Sequence, residues 1–286
     1  MARFVRIAWL GIPIAFGACG LAETGLLQDG GGADVVTKDD VLVINDDASD
    51  VTDGGAPDTA SDAPFVDAAG ICAATCADAG GVCLDGGACY FDCTATLACD
   101  DKITCPPSIP CVVACGYASC SNDIDCTASS ACAVKCLGDT SCSHKIKCGG
   151  SACSVSCSGY GACDDDITCN ANTCAIGCDG GLACTHPITC SGGKCDVECL
   201  GYGACGDDIK CSDTTLCNVE CIADTSCGGK VTTDAGLSHV CCTGYAACND
   251  DVSCAGGTCA TNCQQNACGG NVDCFAGSCK DAATCP

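Results

Sequence analysis

Beyond residue 19 this 286-residue chain contains no arginine, tryptophan or methionine; Arg3, Arg6, Trp9 and Met1 all lie before that point. The remainder therefore has no guanidinium fork to clamp a carboxylate or phosphate. It has no indole to cap a cation. Bases are scarce, with 11 Lys and Arg against 36 Asp and Glu and a net charge of -25. Such a chain repels nucleic acid and anionic headgroups, so no nucleic-acid partner is expected. Only 4% of residues are aromatic and three are histidine. The tight chelate spacings C-x-C and C-x2-C are also missing. These shortages exclude more functions than any motif adds.

What the chain has is cysteine, 41 of 286 residues. That density marks either a disulfide scaffold or a thiolate metal store. Three segments divide the sequence. Residues 1–18 pair a basic start, Arg3 and Arg6, with the apolar run IAWLGIPIAFGA. This is the pattern of a secretory signal, too short for a permanent membrane span.

The run ends in Phe16-Gly17-Ala18-Cys19. These four residues resemble the bacterial lipobox, with Phe16 standing where Leu is usual. The resemblance implies thioether lipidation of Cys19, which then becomes the mature N-terminus. Gly20, rather than Asp, follows Cys19, and in lipoproteins that resembles the default for the outer membrane. Ordinary cleavage after Ala15-Phe16-Gly17 is the alternative. Cysteine parity favours the lipid: setting Cys19 aside leaves 40, an even number that can pair completely.

Residues 19–70 form the second segment. From residue 20 they hold no cysteine, twelve acids and one base, Lys38. One-signed charge with low hydrophobicity predicts a disordered acidic tether. Fifty residues of flexible chain reach roughly 40 Å. The aspartates in NDDASDVTDGG do not keep calcium-loop spacing, so the plain reading is a solvated spacer.

Residues 71–286 are a repeat. Cysteines 89, 111, 132, 153, 174, 195 and 217 recur at intervals of 21 or 22. Within a unit the spacing is C-x3-C-x5-C-x5-C, as in CSVSCSGYGACDDDITC. Cys153, Val155 and Cys157 share parity, as do Cys163, Ile167 and Cys169, which predicts short half-buried strands. A 20–22-residue period predicts a solenoid. The expected fold class is therefore all-β: a disulfide-stapled parallel β-solenoid of about ten 20–22-residue coils, two short strands per coil. The residue before each strand's Ile or Val alternates in charge, Lys102, Asp123, Lys145, Asp166, then Pro187, Asp208, Lys230 and Asp251. In-register parallel stacking favours that order. Duplication of a 42-residue ancestor also explains it, because Tyr117, Tyr160, Tyr202 and Tyr245 recur at similar intervals.

Each coil offers only one or two aliphatic residues inward, too few to offset chain ordering. Disulfides must supply the balance. Thr233 and Ser238 stand where a unit's fourth cysteine and the next unit's first belong, so those two positions pair. This predicts Cys148–Cys153, Cys169–Cys174 and Cys190–Cys195, leaving Cys157–Cys163 and Cys178–Cys184. Cys72, Cys76, Cys241 and Cys285 have no evident partners.

Metal sequestration by thiolates is the rival reading, with calcium on the acids its weaker form. His144 and His186 align, but no serine or cysteine falls to either as a nucleophile. The acid pairs Asp165-Asp166 and Asp207-Asp208 recur in every second unit, which suits a solvated face more than a glycosidase pair. The four tyrosines are candidates for a surface-binding stripe toward a glycan or protein ligand. No catalytic residue, cofactor or metal site is expected. The whole plan resembles bacterial cysteine-rich surface lipoproteins. That resemblance implies a protein exported and lipid-anchored to the outer membrane or cell surface, with a structural, adhesive or envelope-interaction role.

Overall fold

A computed structural model describes residues 68–264, 267–274 and 278–281. The signal, Cys19 and the acidic tether up to residue 67, like Cys285, lie outside the described residues. The described part is an all-β solenoid of about nine turns.

The chain enters through α1 (Ala68–Asp78), an alanine-rich helix, and then β1 (Val82–Cys83), which pairs antiparallel with β2 (Cys89–Cys93). Cys72–Cys83 and Cys76–Cys89 fasten the helix to these strands. The irregular first unit of the repeat is thus a helical cap rather than a coil. Its Cys72 and Cys76 are fully buried against the first strands, covering apolar surface that an open end would expose.

Three two-strand coils follow: β3 (Ile103–Thr104) with β4 (Cys111–Cys115), β5 (Ile124–Cys126) with β6 (Cys132–Cys136), and β7 (Ile146–Cys148) with β8 (Ala152–Cys157). The next five coils each fuse their two strands into one: β9 (Ile167–Cys178), β10 (Ile188–Cys199), β11 (Ile209–Cys221), β12 (Val231–Cys242) and β13 (Val252–Cys263). β14 (Val272–Cys274) and β15 (Ser278–Asp281) then pair with β13. In the first of the two-strand coils the break between strands has a local cause. The first connection, Pro106 to Pro110, has three prolines that cannot donate to a ladder. Asn170 to Thr173 has no proline, and its backbone carries the ladder through the corner.

Pairing from β2 to β15 is parallel and in register. Ile167 lies beside Ile188, Ile188 beside Ile209, and Ile209 beside Val231. Like side chains therefore stack on like. One internal column runs Ile124, Ile146, Ile167, Ile188, Ile209, Val231, and another runs Val113, Val134, Val155, Ile176, Val197, Val219, all essentially inaccessible to solvent. Cystines fill the space between.

Every cysteine from Cys72 to Cys268 is disulfide-bonded, Cys241 included. One series of cystines closes a corner of the coil: Cys148–Cys153, Cys169–Cys174 and Cys190–Cys195. A second ties the end of one coil to the start of the next across the turn: Cys157–Cys163 and Cys178–Cys184. Each of these closes a loop of 5 or 6 residues, worth about 2 kcal/mol in chain entropy. None of these five bridges residues a full coil apart. Between coils, cohesion comes from backbone hydrogen bonds and the stacked apolar columns.

The turns carry backbone strain. Turn positions in two columns adopt the left-handed region: Thr140 (φ 53°), Leu182 (φ 54°) and Thr225 (φ 55°) in one, Cys142 (φ 52°) and Cys163 (φ 57°) in the other. A non-glycine residue there costs about 1–2 kcal/mol. Gly161 and Gly203 take up the first column's conformation at little cost.

Candidate functional site

The tyrosines share one edge of the stack. Thr140 N–H donates to the Tyr160 carbonyl, Gly161 N–H to that of Gly181, Leu182 N–H to that of Tyr202, and Thr225 N–H to that of Tyr245. These bonds define a column of Tyr117, Asp139, Tyr160, Gly181, Tyr202, Asp224 and Tyr245. The rings stand two coils apart, about 10 Å. Their exposure runs from 58% for Tyr117 and Tyr160 to 68% for Tyr245, so they face outward rather than filling the core. Between them Asp139 accepts the Tyr160 N–H at 2.8 Å, and Asp224 accepts the Tyr245 N–H at 2.8 Å. The Tyr160 ring lies over Gly181 of the next coil, against the place a Cβ would occupy. Exposed Leu137, Leu182 and Ile222 flank the rings. This edge presents aromatic side chains at regular intervals, with a carboxylate between Tyr117 and Tyr160 and another between Tyr202 and Tyr245, an arrangement suited to stacking and hydrogen bonding.

The acid pairs play a structural part that their spacing alone did not reveal. Asp165 Oδ1 accepts the Asp166 N–H, and Asp207 Oδ1 the Asp208 N–H, both at 2.7 Å. Asp208 in turn accepts the Lys230 N–H of the following coil at 2.9 Å. The alternating charge column is used in two ways. Lys145 Nζ reaches Asp166, its column neighbour, at 2.6 Å. Lys102 Nζ bypasses Asp123 for Asp125 at 3.0 Å. Burial pushes the Asp125 carboxyl up, but hydrogen bonds from Thr127 and Lys102 outweigh it and leave the group below the usual carboxylate range.

Buried sulfurs of neighbouring coils also meet. Those of Cys136, Cys142 and Cys163 lie within 4.8 Å of one another, as do those of Cys157, Cys178 and Cys184. In the oxidised chain these are cystine sulfurs, not the thiolates that soft metals require. His186 belongs to a small polar cluster. Its Nδ1 lies 3.4 Å from Asp164 Oδ1 and 3.4 Å from Thr185 Oγ1, while Thr185 donates to Asp164. Acid and hydroxyl both meet the same ring nitrogen. A nucleophile, base and orienting acid need opposite nitrogens, so this cluster positions the ring without activating Thr185. His144 stands two coils away in the same column, exposed, and His239 is on another face. An open depression of about 360 Å³ lies beside the helical cap, lined by Thr75, Asp78, Lys102 and Pro106.

No protein family matches this chain, and neither curated proteins nor solved structures give a match.

Proposed function

We propose that this protein is a lipid-anchored surface protein of the cell envelope, exported through its N-terminal signal and acting without catalysis. Cys19 carries the lipid, the acidic segment holds the repeat off the membrane, and the tyrosine edge meets a surface glycan or protein ligand. The observation that carries this reading is the complete pairing of cysteines from Cys72 to Cys268. Disulfides in that number form and persist outside the reducing cytosol. The same pairing weighs against thiolate metal storage, since the sulfurs such storage needs are already bonded to each other. A stack locked at every turn suits presentation or spacing, because it holds an exposed edge at fixed intervals.

Intact-mass analysis of protein made with its own leader tests the proposal. Acylated Cys19 at the N-terminus is expected. Reduction should add about forty hydrogens, matching the 40 cysteines after Cys19. A free Ala18 or an unmodified Cys19 at the N-terminus refutes the anchor. Replacing Tyr160 and Tyr202 together by serine should abolish adhesion of the purified rod to envelope polysaccharide. Unchanged adhesion removes the tyrosine edge from the proposal.

A further inference from the structure

The tyrosine edge repeats every two coils. Tyr117, Tyr160, Tyr202 and Tyr245 stand about 10 Å apart along the axis. Each is more than half exposed, at 58%, 58%, 67% and 68%. The residue after each ring is small: Ala118, Gly161, Gly203 and Ala246. The coils between place Thr140, Leu182 and Thr225 there instead. Tyr160 Cδ2 lies 3.4 Å from where a Gly181 Cβ would stand, and Leu182 Cδ2 lies 2.8 Å from where a Gly203 Cβ would stand. Tyr160 and Leu182 thus use the room that glycines of the next coil leave, and no side chain rises at Gly181 between the Tyr160 and Tyr202 rings.

Charge and area limit what can cover this edge. The turns 116–119, 137–141, 158–162, 179–183, 200–204, 222–226 and 243–247 contain no lysine or arginine, and they hold Asp139, Asp179 and Asp224. Nucleic acid and anionic polysaccharide are repelled. A second copy of the chain meets the same repulsion, at a net charge of -25. Four rings at these exposures offer roughly 500 Å², short of the ~800 Å² per partner of a standard protein interface. What fits is a narrow, uncharged, extended ligand.

Granting the edge the ligand-binding role proposed above, on which this assignment rests, we propose that its ligand is a single chain of β-1,4-linked glucan lying along the axis. In such a chain every ring substituent is equatorial, so both faces of each glucose are rows of C–H groups. These stack on the negative face of an aromatic ring. Successive glucoses are turned over, so the same face recurs at every second sugar, an interval of about two coils. An α-1,4-linked glucan coils and loses that register. Asp139 and Asp224 give Oδ1 to the Tyr160 and Tyr245 N–H groups. Their Oδ2 atoms have no protein partner among the described residues, and each accepts a sugar hydroxyl. Glucose offers those carboxylates one more hydroxyl per ring than N-acetylglucosamine.

Calorimetry with the complete oxidised protein and soluble oligosaccharides provides the test. Cellohexaose is long enough to meet three rings and cellotriose two. One added ring should tighten binding about two- to tenfold. Tyr160→Ser or Tyr202→Ser leaves no three adjacent rings and should weaken cellohexaose by about that factor. Tyr117→Ser leaves three adjacent rings and should cost about twofold or less, and Tyr202→Phe, which keeps the ring, should cost no more. Maltohexaose should not bind. All four side chains are exposed, and circular dichroism with cystine counting confirms the fold of each variant. Cellohexaose that binds no more tightly than cellotriose, equal binding of maltohexaose, or tighter binding of chitohexaose overturns the glucan assignment. If the double Tyr160→Ser, Tyr202→Ser variant loses adhesion to envelope polysaccharide while the wild type ignores cellohexaose, the edge stands and its ligand is wrong. Adhesion unchanged in that variant overturns the edge itself.

Discussion

Among the described residues one corner, at Thr233 and Ser238, lacks the staple its neighbours have, and supplying it should stabilise that coil. Thr233 lies in register between Cys211 and Cys254, and Ser238 between Cys217 and Cys259. The cystines on either side, Cys211–Cys217 and Cys254–Cys259, hold their Cα atoms 6.3 and 6.2 Å apart. That spacing suits a disulfide. Both hydroxyls are fully buried and have no hydrogen-bond partner. Substituting Thr233→Cys and Ser238→Cys together should form a new bridge without moving the backbone. Loop closure contributes about 2 kcal/mol. Removing each unpaired buried hydroxyl adds about 1 kcal/mol, for about 4 kcal/mol in all. In a solenoid that gain falls on the coil itself and its neighbours. Amides of β12 should then exchange about a thousandfold more slowly, at 1.4 kcal/mol per factor of ten. Mass spectrometry must show the two new sulfurs paired. Two free thiols in the double variant, or a formed bridge that leaves β12 exchange unchanged, would refute the reasoning.

Other changes test the turns and the charged face. Gly180→Ala should cost about 3 kcal/mol, read as a lower denaturant midpoint, because the new methyl meets the Gly159 carbonyl with backbone on both sides. Gly177→Ala, where a Cβ meets nothing within 4 Å, is the matched control and should be nearly neutral. Thr140→Gly should stabilise by about 0.5–1 kcal/mol, since relief of the left-handed strain exceeds glycine's entropy cost. Partial desolvation, and then the nearby Glu198 carboxylate, hold Asp196 above the usual carboxylate range. A carboxyl raised in the folded state binds more protons folded than unfolded, so stability falls as pH rises through that window. Asp196→Asn should therefore raise the denaturant midpoint at pH 7 and lose that gain at about pH 3.

Much of this architecture was legible because period and parity are direct consequences of a parallel stack. Cysteines repeating every 21 residues fixed the coil, and the shared parity of Cys153, Val155 and Cys157 named an inward face. The joint loss at Thr233 and Ser238 pointed to the pairing that the cystines Cys148–Cys153 and Cys169–Cys174 display. The cap was not legible. Cys72 and Cys76 sit at the same x3 spacing that opens a coil, and that spacing also fits a helical turn. Nor were the left-handed positions, since nothing in the residue types Thr140 or Leu182 demands a positive φ. It is imposed by coils that must all turn alike. The acid pairs looked like a solvated face because side chain-to-turn hydrogen bonds depend on local geometry that spacing does not fix. The tyrosine column was visible as a recurrence, but its carboxylate neighbours Asp139 and Asp224 needed the register to appear.

Stacked sulfurs make one feature of the fold especially open to test. Cys142 is bonded to Cys136, yet the Cys163 sulfur of the next coil lies within 4.8 Å of both. Exchange could therefore link neighbouring coils with little movement, and local pairing is a choice among near neighbours. Lysine positions distinguish the two outcomes. Lys135 and Lys145 lie outside every loop closed by Cys126–Cys132, Cys136–Cys142 and Cys148–Cys153. Lys194 lies inside the loop of Cys190–Cys195. Cleavage after lysine in denaturant, without reduction and at acidic pH to block exchange, should release residues 136–145 as a free peptide with its own internal disulfide. The two pieces cut at Lys194 should stay joined until reduced. If residues 136–145 emerge attached to the peptide carrying Cys163, bonds run along the axis. The stack would then be a covalent ladder rather than coils stapled singly and held together by backbone hydrogen bonds and the Ile and Val columns.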